Sequence, residues 1–337
     1  MNDYDLHHHG DSEVGPGLID LAVNVRLPKP PAWLRHELAE ALDELAAYPN
    51  PGAAAEAVAA RHRRSASEVL VTAGAAEAFT LLARAFSGRN AVVVHPQFTE
   101  PEAALRAAGA RVRRVVLPRF VLDPALVPED ADLVFVGNPT NPTSVLHPAA
   151  SLRALVRPGR VLVVDEAFLD AVPGEPESLA TEALPGVVVV RSLTKTWGIA
   201  GLRAGYVVAG PEIIELLRAV QPPWSVSSLA ARAVVGCCRP AALDEADKLA
   251  VAAERDRERL VAGLRTLGVE VVGAPRAPFV LVRIPGADRI RERLRDAGYA
   301  VRRGDTFPGL DRDYLRLAVR EETVTNGFLR ALRPLLR

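Results

Sequence analysis

Four short stretches of this chain carry side chains that could do chemistry together. The first is Ser192-Leu193-Thr194-Lys195-Thr196-Trp197-Gly198, directly after an apolar run that ends at Arg191. A lysine at a strand-to-helix junction can reach an aldehyde cofactor held at the strand ends. Ser192 and Thr194 add hydroxyl donors, and Arg203 adds a fork suited to phosphate. The second is Asp165, which closes the run Val161-Leu162-Val163-Val164. A carboxylate there, beside a pyridine nitrogen, would keep that nitrogen protonated and let the ring act as an electron sink. The third is Asn138-Pro139-Thr140-Asn141-Pro142, rigid loop punctuation whose Asn141 can offer an amide to a phenolic oxygen. The fourth is Thr72-Ala73-Gly74-Ala75-Ala76-Glu77, a small-residue turn opening a helix, with free N–H groups for an anion. Taken singly, each has a plain reading: a surface lysine, a turn aspartate, a proline loop, an ordinary helix start.

These groups need elements to position them. Apolar, largely β-branched runs at Val69–Thr72, Ala91–Val94, Val112–Val116, Asp132–Val136, Val161–Val164, Val187–Arg191 and Ala204–Val208 read as strands buried on both faces, as in a parallel sheet. Helical patterns such as Ala75–Phe86 and Pro148–Val156 lie between many of them. The expected class is α/β, a large doubly wound, mostly parallel sheet domain over 32–235. A long amphipathic stretch at Ala241–Leu267 changes the rhythm. It is followed by strand patterns at Val269–Val272, Phe279–Arg283 and Tyr314–Val319 and a helix pattern at Ala287–Ala297. Residues 236–337, with an N-terminal arm over 1–31, read as a small α+β domain. The proline-rich Pro28–Pro31 separates the arm from a first helix near Ala32.

Composition narrows the function classes. Basic and acidic side chains balance at 41 each, which argues against a general nucleic-acid binder. No apolar run approaches a membrane span, and the N-terminus has no basic-then-apolar signal pattern, so no membrane role and a cytoplasmic location are expected. The two cysteines, Cys237 and Cys238, are adjacent and build neither a disulfide framework nor a zinc site. His7, His8 and His9 invite a metal reading, but a polar tail explains three consecutive histidines as well; no metal is expected.

The order and combination of the four stretches resemble the fold-type I pyridoxal-phosphate (PLP) aminotransferases. Within that family the likeness is to the branch of histidinol-phosphate aminotransferases and the threonine-phosphate decarboxylases of cobalamin biosynthesis. It runs from His9-Gly10-Asp11 to Leu315-Arg316-Leu317-Ala318-Val319-Arg320 and is strongest over Ser192–Tyr206, with Gly201-Leu202-Arg203-Ala204-Gly205-Tyr206. The resemblance implies pyridoxal 5'-phosphate as cofactor. Lys195 then matches the lysine that bonds its aldehyde, Asp165 the partner of the ring nitrogen, and Asn141 the contact to the ring 3-oxygen. Ser192, Thr194, Arg203 and the backbone of Ala75 and Ala76 match the phosphate ligands, and Phe98 the aromatic on the ring face. Tyr48 resembles the tyrosine that reaches the neighbouring subunit's phosphate, which implies a homodimer with shared active sites. Arg316 matches the clamp on a substrate α-carboxylate. The complete set Lys195, Asp165, Asn141 and Arg203 speaks against a non-catalytic cofactor-binding protein.

Three departures stand out, the first being Phe98 in place of the family's usual stacking tyrosine, although phenylalanine stacks comparably. Phe168 occupies the position three residues after the aspartate where many relatives have a tyrosine, and its ring cannot donate to the 3-oxygen. The arm reads Asn24-Val25-Arg26-Leu27 where Asn-x-Asn-Pro is common, so Asn24 alone survives. Arg302 and Arg320 resemble arginines of the phosphate-substrate branch, and with Arg316, Asn24 and His9 they form the expected substrate set. The first expectation is a decarboxylase of a small phospho-amino acid such as threonine phosphate. The alternative is a histidinol-phosphate or other α-amino acid aminotransferase.

Overall fold

The computed structural model describes residues 4–336. A short strand β1 (Ile19–Leu21) leads into helices α1 (Ala32–Glu40) and α2 (Gly52–His62). There follow β2 (Val69–Thr72), α3 (Gly74–Ala85), β3 (Ala91–His95), α4 (Glu100–Ala107), β4 (Val112–Val116), β5 (Leu133–Gly137) and α5 (Ala149–Arg153). Then come β6 (Val161–Asp165), β7 (Val187–Ser192), α6 (Thr194–Trp197) and β8 (Gly205–Ala209). Helices α7 (Pro211–Val220), α8 (Ser228–Cys237) and α9 (Pro240–Thr266) lead to β9 (Glu270–Val271), β10 (Phe279–Arg283), α10 (Ala287–Asp296), β11 (Tyr299–Arg303), β12 (Tyr314–Ala318) and α11 (Glu322–Leu332).

The large sheet has the order β2-β8-β7-β6-β5-β3-β4. Its strands alternate their apolar side chains between two cores. Val92, Val134, Leu162 and Val189 face the layer that includes Leu34, Val58 and Val234, from α1, α2 and α8. Val93, Phe135, Val163 and Val190 face Phe79, Leu105 and Ile214 from α3, α4 and α7. Burial on both faces explains why the strands read as unbroken apolar runs. The sheet is mostly parallel, as expected, and one strand is the exception: β8 is antiparallel to both β2 and β7. A parallel return needs a crossover that spans the sheet, and the four-residue α6 rises only about 6 Å. The chain therefore re-enters at the end where β7 left it.

The second sheet has the order β1-β11-β12-β10-β9. Its core joins Leu21, Val280, Val301 and Leu317 to Leu260 of α9, Leu294 of α10 and Phe328 of α11. The N-terminal strand thus completes a sheet formed by the C-terminal third of the chain, β1 running parallel to β11. In the large sheet the path reverses around β3, which lies between β4 and β5. Crevices beyond the carboxyl ends of strands at such a switch point are where open α/β sheets bind ligands.

Candidate active site

A cavity of about 480 Å³ lies in that crevice, and its walls include the carboxyl end of β6 and the arginines of the second sheet. Asp165 is the last residue of β6 and Ser192 the last of β7. Lys195 follows on α6, a single turn closed by Gly198 in the left-handed conformation. A Cβ on Gly198 would stand 2.8 Å from the Leu27 carbonyl, so glycine lets the N-terminal arm close over the lysine. Asp165, Lys195, Ser192, Thr194, Asn141, Phe98, Phe168, Ala75, Ala76 and Arg203 all line the cavity.

The anion cradle is built at the start of α3. Gly74 has φ +77°, and a Cβ there would lie 2.8 Å from Nη2 of Arg203. The absent side chain lets the guanidinium close on the first turn, where Ala75 and Ala76 stand. The Ser192 and Thr194 hydroxyls lie 2.7 Å apart on the same wall. Hydroxyls, a helix N-terminus and a guanidinium together suit a phosphate.

The two titrating groups are both displaced. Burial, then the charges of Arg316 and Arg203, pull the Lys195 amine down to about 8, against Asp165 and Asp11. Burial pushes the Asp165 carboxyl up to about 6, with Glu166 adding to the shift and Ala167 N–H and Lys195 opposing it. Ala167 N–H donates to Asp165 Oδ1 at 3.0 Å. A carboxylate so desolvated is a natural partner for a heterocyclic cation.

The opposite wall comes from the second sheet. In the β11–β12 register Arg302 stands directly opposite Arg316, and both are buried. Arg316 donates from Nη1 to Asn141 Oδ1 at 2.7 Å and from Nη2 to the Ala22 carbonyl, while its Nε is buried with no partner among the described residues. Arg302 donates from Nη2 to the His8 carbonyl and to Thr306 Oγ1, both at 2.6 Å. Burial lowers Arg316 to about 9 and Arg302 to about 10. Two like charges set opposite each other on neighbouring strands are unfavourable; Glu13, 3.9 Å from Arg302 Nη1, offsets part of that, and a bound anion would offset more. Asn24 contributes a buried amide whose nitrogen and oxygen both lack partners among the described residues. His9 lines the mouth, with Nε2 2.6 Å from Glu100 Oε1 and its ring 5.6 Å from that of Phe98.

Two residues of the expected set lie elsewhere. Arg320, expected at the substrate phosphate, does not line the cavity. Its guanidinium donates to the Asp20 and Val23 carbonyls at 2.7 and 2.6 Å and so holds the arm that carries Asn24. Tyr48 is outside the cavity of its own chain, exposed and stacked on Trp224 at 4.5 Å. The cavity also takes in Asp11, Glu100 and Phe307, none of which chemical type or spacing singled out.

The sequence pattern of the family Aminotransferase class I and II matches residues 16–332. The chain belongs to that family. A histidinol-phosphate aminotransferase of Mycobacterium bovis is 54% identical over 319 residues, 94% of this chain and 87% of that protein. A threonine-phosphate decarboxylase of Salmonella typhimurium is 31% identical over 336 residues, 95% and 91% of the two chains. The crystal structure of the histidinol-phosphate aminotransferase from Clostridium acetobutylicum superposes with a TM-score of 0.86 at 23% identity, over 93% of this chain and 98% of that one. At that identity it establishes the shared fold. The protein is thus an enzyme of transaminase or decarboxylase type in the PLP-dependent aminotransferase superfamily, and its cofactor is pyridoxal 5'-phosphate. The residues fit that group. The Asp165 side chain accepts from one N–H among the described residues and could face a cation, the Gly74–Arg203 cradle suits a phosphate, and Lys195 is a depressed amine within the same walls.

Proposed function

We propose that this enzyme transfers the amino group of a small phosphorylated amino compound, with histidinol phosphate the first candidate. The reading is carried by the cross-strand pair Arg302 and Arg316, two buried guanidiniums in one cavity with Lys195. It is supported by the 54% identity to a protein named for that activity.

In this reading Lys195, Asp165 and Asn141 would hold the cofactor through its aldehyde, its ring nitrogen and its 3-oxygen. Ser192, Thr194, Arg203 and the N–H groups of Ala75 and Ala76 would hold its phosphate, and Phe98 would pack on the ring. Bound there, the cofactor supplies an electron sink for charge developed at the substrate α-carbon. Arg316 takes the carboxylate of an amino or keto acid, Arg302 takes a substrate phosphate, and Asn24 and His9 complete the substrate's surroundings. Lys195, with its amine near 8, can hold and return a proton at the α-carbon near neutral pH.

Decarboxylation of a phospho-amino acid is the second reading, favoured by the Salmonella relative. Decarboxylation requires the carboxylate to stand out of the ring plane, a pose in which Arg302 and Arg320 would both anchor the substrate phosphate. With Arg320 tied to the arm, that pose keeps one of its two cations. Supplying histidinol phosphate with a keto-acid acceptor, and carboxyl-labelled threonine phosphate in parallel, separates the two. Amino-group transfer from histidinol phosphate supports the first reading; labelled CO2 without any amino transfer overturns it.

The enzyme acts as a homodimer with shared sites, a reading supported by the exposed apolar group Leu42, Leu45, Tyr48 and Trp224. Tyr48 then serves the partner's phosphate cradle. A cytoplasmic location is supported by the free, buried thiols Cys237 and Cys238. No described helix is long and apolar enough to cross a membrane.

A further inference from the structure

Histidines apart, the cavity holds more charged side chains than the cofactor would engage. With its phosphate on Arg203, its ring nitrogen beside Asp165 and its aldehyde on Lys195, four remain: Arg302, Arg316, Asp11 and Glu100. The two arginines lie deep, 2% and 5% exposed. The two carboxylates lie toward the mouth, where Asp11 is exposed and the Glu100 side chain is 24% exposed. Glu100 gives Oε1 to His9 Nε2, and its Oε2 has no partner among the described residues. Asp11 accepts from Val14 N–H through its main-chain carbonyl, which leaves its carboxylate free of ion pairs among the described residues. Its turn is firmly seated. A Cβ on Gly10 would stand 2.5 Å from the Ala22 carbonyl oxygen and 3.3 Å from Arg316 Nη2, so the turn packs on the arm directly over Arg316. Buried Glu13 anchors the other end, 2.8 Å from Arg291 and 3.0 Å from His8. A separate observation also calls for a polar ligand. Asn24, 4% exposed, lines the same cavity with both amide atoms unpartnered among the described residues, and an apolar group against it would leave them so.

We propose that Asp11 and Glu100 select the far end of the substrate: while its phosphate is drawn to the buried arginines, the carboxylates at the mouth receive a second, protonatable nitrogen, that of an imidazole ring or an alkylammonium. This rests on the reading that the enzyme transfers the amino group of a phosphorylated amino compound. A cavity cationic in its depth and anionic at its mouth orients a ligand of the opposite polarity. An imidazole donates N–H to a carboxylate in either protonation state, and a carboxylate beside it favours the charged one. The neutral ring also offers both a donor and an acceptor, the two things the Asn24 amide lacks. A phospho-amino acid without a second nitrogen, such as threonine phosphate, offers the two carboxylates no cation.

The test is a ratio. Holoenzyme is supplied with histidinol phosphate or leucinol phosphate, amino alcohol phosphates that differ in the side chain, and with one keto-acid acceptor. Amino transfer should favour histidinol phosphate in kcat/KM. That preference should fall about 5-fold in Asp11→Asn, the loss of a charge pair at an open mouth. It should fall about 10-fold in Glu100→Gln, where the contact is better shielded from water. A general effect of either variant on the cofactor or the arm acts on both substrates and cancels in the ratio. Lysinol phosphate, with an ammonium in place of the ring, should also surpass leucinol phosphate and lose most of that advantage in the double variant, because the carboxylates read charge and not ring shape. A histidinol-over-leucinol preference undiminished in the Asp11→Asn, Glu100→Gln double variant overturns the inference, as does equal use of the two compounds by the unaltered enzyme. Amino transfer from phosphorylated amines still stands in both of those cases. Transfer from none of the three compounds overturns that reading and this one together.

Discussion

Gly74→Ala probes the phosphate cradle at its tightest point. The new methyl group would stand 2.8 Å from Arg203 Nη2 and 3.1 Å from its Cζ, on a backbone at φ +77°. Two costs follow and they fall on different quantities. The left-handed backbone disfavours alanine by about 1–2 kcal/mol, which lowers the stability of apoprotein and holoprotein alike. The steric conflict itself is inexpensive, because Arg203 is exposed and its far end can swing away. That escape takes the guanidinium out of the cradle and removes a charge-assisted hydrogen bond to the cofactor phosphate, worth about 1.5–3 kcal/mol. PLP affinity should therefore fall roughly 10- to 100-fold. The apoprotein should lose about 1–2 kcal/mol in denaturant titration. Equilibrium dialysis of the apoprotein against PLP measures the first, and Arg203→Ala supplies the reference. A Gly74→Ala protein of unchanged PLP affinity, with the expected loss of apoprotein stability, would refute the cradle while leaving the backbone argument intact.

Apoprotein should recombine with PLP faster as pH rises through about 8, because the neutral Lys195 amine is the nucleophile and its pKa is depressed from 10.5; a rate flat across that range would contradict this. Phe168→Tyr should add a donor to the cofactor 3-oxygen and move the holoenzyme's visible-absorption titration to lower pH; an unchanged or raised midpoint would show that the hydroxyl does not reach. Arg302→Ala should weaken selection for phosphorylated over unphosphorylated substrate by ~10- to 100-fold, the loss of one charged contact. Arg320→Ala should impair both substrates equally, because its ties to Asp20 and Val23 hold the arm and not the ligand; paired KM values distinguish the two outcomes. Mixed dimers of Lys195→Ala and Tyr48→Phe protomers should recover activity that neither homodimer has, and sedimentation showing a fully active monomer would rule out shared sites.

What the sequence determined by itself was whatever depends on neighbours along the chain. Buried strands need apolar side chains on both faces, so the large sheet's strands were legible to within a residue or two, as at Val161–Asp165 and Val187–Ser192. The residues at and just after the ends of those runs fall at the crevice between strand and helix, so position made Asp165, Ser192 and Lys195 candidates, and the resemblance of their combination and order to a known family singled them out. The long α9 was legible for the same reason, its period being local. Strand β11 was not, because Arg302 and Arg303 interrupt its apolar pattern. Direction was not legible either: nothing in the residues of β8 says that the link before it is too short to cross the sheet.

Register and long-range pairing needed the tertiary structure. Arg302 and Arg320 look alike in sequence, both arginines near Arg316. One faces Arg316 across β11 and β12 inside the cavity, and the other turns to the carbonyls of the N-terminal arm. Arg191 reads as the polar end of a strand, yet it is buried among carboxylates contributed by the segment between β6 and β7. The arm's place in the second sheet, and with it the orphaned amide of Asn24, depends on β1 meeting β11 some 280 residues later, from Ile19 to Tyr299. Local patterns decide what a residue needs, burial or water, a helix or a strand. Which partner satisfies that need is set by the packing of segments far apart in the chain, and one-dimensional spacing carries no record of it.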